Sequence, residues 1–167
     1  METNLVRIKA FARERKDENY AFRSFLKGLN MSDKRLDSIV RKITLRVSAQ
    51  IDCRACRNCC KVLTPTVSKE EITNIAEYLK IPRQEFEDRY LSFNELEQAY
   101  TLKFPCPFLQ GDSCIIEDVK PEMCRTYPYL MKDGFRYRLL GVINNYEVCP
   151  IVFNVYEELK RTLWHVI

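Results

Sequence analysis

Five stretches of the chain space their apolar residues at intervals of three and four, the pattern of amphipathic helices. We expect a first helix over residues 16–29 and a second that begins after the N-cap Ser32. Joined by a short turn, these two would form a helical hairpin. Further helices are predicted after Ser68, which opens a Ser-x-x-Glu capping box, and after Pro82 and Pro150, since proline favours the first helical turn. The exposed face of the last helix is expected to carry Glu157, Glu158, Lys160 and Arg161.

Between these helices, short runs of strand-forming residues alternate with turn residues. Residues 100–104 read as a strand, and the turn at 110–112 predicts a hairpin that would bring Cys106 and Cys114 near each other. An Asp-Gly pair within residues 129–139 predicts a second hairpin, whose strands could share one small sheet with the others. The fold class that follows is helix-rich α+β.

The composition is that of a globular chain with unevenly placed charge. Its 167 residues are 46% hydrophobic and 30% charged, enough for one sizeable core with an appendage. Residues 1–50 hold 12 Lys and Arg against 6 Asp and Glu, whereas residues 51–167 hold 15 against 17. We therefore expect a basic N-terminal helical hairpin over 1–50 and a cysteine-cluster metal-binding domain with a C-terminal helix over 51–167.

No stretch has the uninterrupted apolar run of a secretory signal or a membrane-spanning helix. The expected location is the cytoplasm, without a membrane contact.

The cysteines carry the candidate chemistry. Four lie within eight residues and four follow further along the chain: Cys53, Cys56, Cys59 and Cys60, then Cys106, Cys114, Cys124 and Cys149. In a reducing compartment, Cys-x-x-Cys spacing favours metal ligands or redox groups over disulfides. The sequence has a single histidine, His165, so the ligands should be thiolates, and eight of them could furnish up to two four-thiolate sites for zinc or an iron–sulfur cluster.

The adjacent pair Cys59 and Cys60 bears on the kind of metal. Neighbouring side chains diverge, so both would reach one metal ion only through a strained turn, and one of them could instead be a buried spectator. A centre with several iron atoms offers acceptors spread over a few ångströms, which favours a cluster over a lone zinc ion. For Cys149, a small apolar core residue is the alternative interpretation.

Basic residues lie close in sequence to these thiols: Arg54, Arg57, Lys61, Lys120 and Arg125. Their positive charge would offset a negative thiolate site.

Three motifs occur in a characteristic order: Cys53-x-x-Cys56-x-x-Cys59-Cys60, Cys106-Pro107-Phe108-Leu109 and Cys124-Arg125-Thr126-Tyr127-Pro128. Over residues 51–150 the chain thereby resembles the CxxCxxCC (YkgJ-like) family of zinc- or iron-chelating proteins. That resemblance implies a bound metal centre, in some relatives an iron–sulfur cluster, held by the seven cysteines from Cys53 to Cys124, with Cys149 as a less constant ligand. Three positions depart from the family pattern, which commonly has glycine at Arg57, an aromatic residue at Glu117 and arginine at Lys120.

The function we expect is that of a metal-binding cysteine-cluster protein carrying a [4Fe-4S] centre, with a redox or structural role in a larger assembly. The alternative is a four-cysteine zinc-stabilised module that binds an acidic partner or nucleic acid through its basic N-terminal helices. A protein partner is expected over nucleic acid, since these helices offer few exposed aromatic residues for base stacking. Enzymatic activity would require an open coordination position on the metal, and the sequence leaves this question open.

Overall fold

The computed structural model of the protein describes residues 1–164, which fold into ten α-helices, three further short helical segments and five short strands. The helices are α1 (Leu5–Glu14), α2 (Lys16–Gly28), α3 (Asp33–Ser48), α4 (Cys53–Cys56), α5 (Asn58–Val62), α6 (Lys69–Leu79), α7 (Arg83–Tyr90), α8 (Glu122–Thr126), α9 (Leu139–Tyr146) and α10 (Pro150–Leu159). The strands are β1 (Thr66–Val67), β2 (Leu91–Asn94), β3 (Ala99–Leu102), β4 (Leu109–Gln110) and β5 (Ser113–Cys114). The predicted helix-rich α+β class is confirmed. No helix within residues 1–164 combines the length and apolarity needed to cross a membrane.

Contacts between residues divide the chain into two compact units. Unit 1 combines Met1–Asp52 with Pro128–Ile167, and unit 2 is Cys53–Tyr127. The C-terminal helix is thus grouped with the N-terminal helices, whereas the sequence-based division at residue 50 placed it with the cysteines. The physical reason is that the first seven residues of α10 are all buried. Such a helix needs apolar neighbours on every side, and it finds them in α1, α3 and α9.

The N-terminal part of unit 1 contains the two predicted helices and one more. Helices α2 and α3 lie where the apolar pattern predicts them, and the Ser32 side chain accepts a hydrogen bond from the Arg35 N–H as the N-cap of α3. Helix α1, which was not predicted, is capped by Asn4. Only Ile8 is fully buried in α1, so this helix carries a weak apolar pattern.

Lys160 was predicted on the exposed face of the last helix, and that prediction is wrong. Its side chain is 2% exposed, and Nζ donates to the Glu18 Oε1 at 2.8 Å and to the Glu157 Oε1 at 2.7 Å. Burial of a lysine is tolerated where carboxylates compensate its charge. Lys160 directly follows α10, and its burial inside the unit is possible because Glu18 and Glu157 both pair with it.

The predicted hairpin around Gly134 is also wrong, although Gly134 does have a positive φ of 74°. The chain continues into a short 3₁₀-helix, Phe135–Arg138, and then α9. The buried Asp37 carboxylate accepts hydrogen bonds from the Gly134 and Phe135 N–H groups, each at 2.9 Å, and so caps this turn. A side chain distant in sequence thus supplies the acceptors that a second strand would have supplied.

The apolar core of unit 2 forms between helices α6 and α7 and the strands. The capping box at Ser68 is present at the start of α6, as predicted. Strand β3 pairs antiparallel with β1 on one side and with β2 on the other, and β2 is a strand that was not predicted. The core residues are Val67, Ile72, Ile75, Ala76, Phe86, Leu91, Leu102, Phe108 and Ile116.

The predicted hairpin at residues 110–112 is confirmed. Strands β4 and β5 pair with Leu109 opposite Cys114, and the turn contains Gly111 with φ of 57°. This pair forms a separate two-stranded sheet and does not join the three-stranded one. The hairpin carries Cys114 against the edge of the unit 2 core, where Cys106 also packs.

Candidate metal centre

The first four cysteines lie on two short helices joined at Arg57. Helix α4 carries Cys53 and Cys56, and α5 carries Cys59 and Cys60. Arg57 between them has a left-handed backbone with φ of 47°, and its N–H donates to the Cys53 carbonyl at 3.0 Å. This reversal ends one helical turn and starts the next, so four thiols are presented within eight residues.

Four thiols from separate segments of unit 2 lie close enough for their charges to act on one another: Cys60, Cys106, Cys114 and Cys124. We call them the thiol quartet. Cys60 comes from α5, Cys106 from the loop before β4, Cys114 from β5 and Cys124 from α8. The prediction that Cys106 and Cys114 lie near each other agrees with this arrangement.

Cys60 is the member of the quartet that ionises most readily. A hydrogen bond from the Cys59 thiol, assisted by the positive charges of Arg57 and Lys120 and opposed by burial, lowers the pKa of Cys60 to about 6. The Cys59 and Cys60 sulfurs are 4.0 Å apart, so these adjacent side chains do not diverge as expected. The local electrostatics therefore favour a thiolate at Cys60 at neutral pH.

The other three members of the quartet behave in the opposite way. Burial raises the pKa of Cys106 and of Cys114, and the negative charge of Cys60 adds to the effect in both. Burial, together with the charges of the other three thiols, raises the pKa of Cys124 to about 12. Four thiolates side by side are thus unfavourable without a cation, and a bound metal would supply that cation.

Backbone N–H groups point at two of these sulfurs. Those of Phe108 and Leu109 act on Cys106, and that of Ile116 acts on Cys114, in each case lowering the thiol pKa against the effect of burial. Donors of this kind stabilise negative sulfur and tune the properties of a bound metal centre.

An ion network lies beside the quartet. Glu117 accepts from the Arg57 Nη1 at 3.2 Å and from the Lys120 Nζ at 2.6 Å. Hydrogen bonds from Lys120 and Arg57 lower the pKa of Glu117 and keep it ionised. Arg57 and Lys120 were predicted to offset a thiolate charge, but the bridging role of Glu117 was missed, although its spacing of three from Lys120 was a signal.

The remaining predicted ligands have different surroundings. Cys53 is exposed, Cys56 is half-buried and Cys59 contacts Cys60. Cys149 belongs to unit 1, where it is 6% exposed and precedes the first turn of α10. His165 lies outside the described residues. Within residues 1–164 no three Cys, His, Asp or Glu side chains are already spaced as a finished ligand set for one metal ion.

The donor chemistry nevertheless fits a soft or borderline metal centre. Zinc, iron and iron–sulfur clusters are bound by cysteine thiolates, and the quartet supplies four of them next to two cations and several N–H donors. Cys60, Cys106, Cys114 and Cys124 are the residues that would hold such a group. When bound, it would supply either a structural cross-link or an electron-transfer centre.

A helix-rich α+β unit that gathers thiols in this way is typical of cysteine-based metal-binding proteins. The chain belongs to the CxxCxxCC family, which is described as a "Putative zinc- or iron-chelating domain" and matches residues 52–150. The family resemblance stated from the motifs is therefore confirmed, and metal binding is supported.

One curated relative is the uncharacterized protein MJ0661 of Methanocaldococcus jannaschii, to which the chain is similar with 37% identity over 81 residues. The match covers 46% of this chain and 43% of the relative, so it spans less than half of either protein. No solved structure matches.

Proposed function

We propose that this protein carries an iron–sulfur centre, of the [4Fe-4S] type, bound by Cys60, Cys106, Cys114 and Cys124, with a redox or structural role in a larger assembly. The observation that carries the proposal is the thiol quartet. Its four thiols come from separate segments of the chain, and their charges act on one another. A cubane cluster takes four cysteine thiolates. The excess of thiols in unit 2 over the four that a single zinc ion needs adds support.

The first experiment is metal and sulfide analysis of protein purified without oxygen, together with an absorption spectrum. We expect iron and sulfide in equal amounts and the broad visible absorption of thiolate-bound iron. A colourless protein with one zinc per chain would contradict the cluster.

Single cysteine-to-serine variants test the ligand set. Serine at position 60, 106, 114 or 124 should abolish the centre or lower its occupancy severalfold. Cys149→Ser is the matched control, because this cysteine is a buried residue of unit 1 and the other seven belong to unit 2. Wild-type metal content in a quartet variant, or loss of the metal in Cys149→Ser, would refute this set.

A zinc-stabilised interaction module is the second candidate, and one distance favours it. Tetrahedral zinc with Zn–S bonds of about 2.3 Å holds two thiolates about 3.8 Å apart, close to the 4.0 Å between the Cys59 and Cys60 sulfurs. In this version the ligand set would include both of these residues. Stoichiometric zinc that is lost in Cys59→Ser as well as in Cys60→Ser is the expected result.

For this second candidate, the partner would be an acidic protein that docks on the basic N-terminal helices. Lys34, Arg35 and Lys42 are exposed on α3 and provide the positive surface. Binding to polyglutamate that weakens steeply with salt, and that is lost in the Lys34→Glu, Lys42→Glu double variant, would support it. Equally strong, salt-sensitive binding to single-stranded RNA would point to nucleic acid instead.

A further inference from the structure

Arg57 sits in an unusual backbone position for a residue of its size. Its φ of 47° lies in the left-handed region, which residues other than glycine rarely adopt. Its side chain is nevertheless 11% exposed, and the guanidinium is directed into the unit instead of into solvent. A charged side chain in this setting has to be compensated by specific partners.

The partners of Arg57 connect two cysteine-bearing parts of the chain. Its Nε donates to the Arg54 carbonyl at 3.0 Å, on the helix that carries Cys53 and Cys56, and to the Asp112 carbonyl at 3.2 Å, in the turn before Cys114. Its Nη1 donates to the Glu117 Oε2 at 3.2 Å. One planar guanidinium therefore fastens the first cysteine segment to the β4–β5 hairpin.

The same guanidinium lies beside the thiols. Its charge interacts favourably with the thiolates of Cys60 and Cys114, one from each of the two segments that it joins. Glu117 is fixed from its other side by Lys120 at 2.6 Å, which limits the positions that Arg57 can take. A lysine at position 57 would keep the charge but could not form the same fork of hydrogen bonds.

We propose that Arg57 is a positioning residue of the metal centre, which holds the Cys60 segment and the Cys114 hairpin at a fixed separation and keeps a positive charge against the bound thiolates. This inference rests on the proposed function. Arg57 acts through Cys60 and Cys114 and is not itself a ligand.

The test compares Arg57→Gln, Arg57→Lys and Arg89→Gln in the metal-loaded full-length protein. Arg89→Gln is the control, because it removes an arginine of the same unit that pairs with Glu85 on the surface. The first readout is the rate at which the bound metal is lost to excess chelator. We expect about tenfold faster loss in Arg57→Gln, a smaller effect in Arg57→Lys and no change in Arg89→Gln.

The second readout is the reduction potential of the iron-loaded protein, which a purely structural role would leave unchanged. Removing a positive charge beside the centre disfavours the more negative reduced state. A tenfold change in that equilibrium corresponds to a shift of about 59 mV to lower potential for one electron. Arg57→Lys should show little of this shift, because it keeps the charge.

If Arg57→Gln does not fold, Glu117→Gln is the variant that tests the same bridge. It should also speed metal loss, but it should raise the potential, since it removes a negative charge. Wild-type loss rates in both Arg57→Gln and Glu117→Gln would overturn the role of Arg57 while leaving the proposed function intact. A wild-type protein without bound metal would overturn both.

Discussion

At the scale of single residues, the thiol quartet separates one readily ionised cysteine from three that resist ionisation. The Cys60 thiolate is stabilised by Cys59, Arg57 and Lys120, whereas partial burial and the negative charge of Cys60 disfavour the thiolates of the other three. A metal ion that binds such a site displaces the protons of the buried thiols, and its positive charge compensates the thiolates that form. Cys60 is therefore the natural first ligand.

Alkylation of the metal-free protein tests this order. Because the folded chain favours the Cys60 thiolate, we expect iodoacetamide to label Cys60 with a midpoint near pH 6, well below the ordinary thiol value of roughly 8.5. Cys124 should resist labelling until well above pH 9, the upper end of the ordinary range of about 8–9, since burial stabilises its thiol form. Mass spectrometry of tryptic peptides over a pH series gives both profiles.

The control for this experiment is the same protein in denaturant, where all eight cysteines should titrate together near their ordinary pKa. A Cys60 profile in the folded protein that coincides with the denatured one would contradict the assigned electrostatics.

At the scale of elements, Glu71 connects the capped start of α6 to the helix that carries Cys124. Its Oε2 accepts from the Ser68 N–H at 2.7 Å, which completes the capping box, and its Oε1 accepts from the Glu122 N–H at 2.6 Å at the start of α8. A single carboxylate thus satisfies N–H groups at two helix starts. The position of Cys124 depends on this link as well as on the unit 2 core.

Truncation of Glu71 should therefore cost more than loss of the Ser68 cap alone. We expect Ser68→Ala to lower the free energy of unfolding of unit 2 by about 1 kcal/mol, and Glu71→Ala by about 2 kcal/mol because two N–H groups lose their acceptor. Native-state hydrogen exchange of the amides in α6 and α8 measures both effects.

Glu70→Ala is the matched control, since Glu70 is an exposed acidic residue of the same first turn. Its effect should remain within about 0.5 kcal/mol. Equal losses in Glu70→Ala and Glu71→Ala would refute the double cap.

At the scale of the whole molecule, the two units differ in charge and in the way each is held together. Unit 1 has 17 Lys and Arg against 11 Asp and Glu, and unit 2 has 10 against 12. Unit 1 encloses the apolar α10, whereas unit 2 packs its helices and short strands around a core of nine buried residues. The thiol quartet belongs entirely to unit 2, so a bound metal should stabilise that unit most.

Metal removal should consequently loosen unit 2 selectively. We expect chelator treatment to speed tryptic cleavage within residues 53–127 by about tenfold or more, the effect of losing roughly 1.4 kcal/mol of ligand stabilisation. Helical circular dichroism from unit 1 should be largely retained. Mass spectrometry identifies the cleavage sites over time.

Restoring the metal should return cleavage to its original rate, which separates loss of the metal from damage to the protein. Cleavage that increases to the same extent in both units would contradict a stabilising centre confined to unit 2.

Elements with strong local signals could be predicted from the sequence. Helix α3 follows from Ser32 and a regular apolar stripe, α6 from its capping box, and the β4–β5 hairpin from the turn around Gly111, since each depends on residues within a few positions of one another. The four-thiol segment and the later single cysteines were likewise visible, and they carried the family membership.

Contacts between residues distant in sequence could not be predicted in this way, because they depend on tertiary packing. Asp37 turns the predicted hairpin at Gly134 into a helical turn, and Lys160 is buried because two carboxylates, those of Glu18 and Glu157, compensate its charge. The grouping of Cys60 with Cys106, Cys114 and Cys124, and the bridge of Arg57 through Glu117, join segments as much as 64 residues apart in sequence. Hydrophobic spacing reports the face a residue occupies on its own helix or strand, whereas long-range contacts depend on how those elements pack.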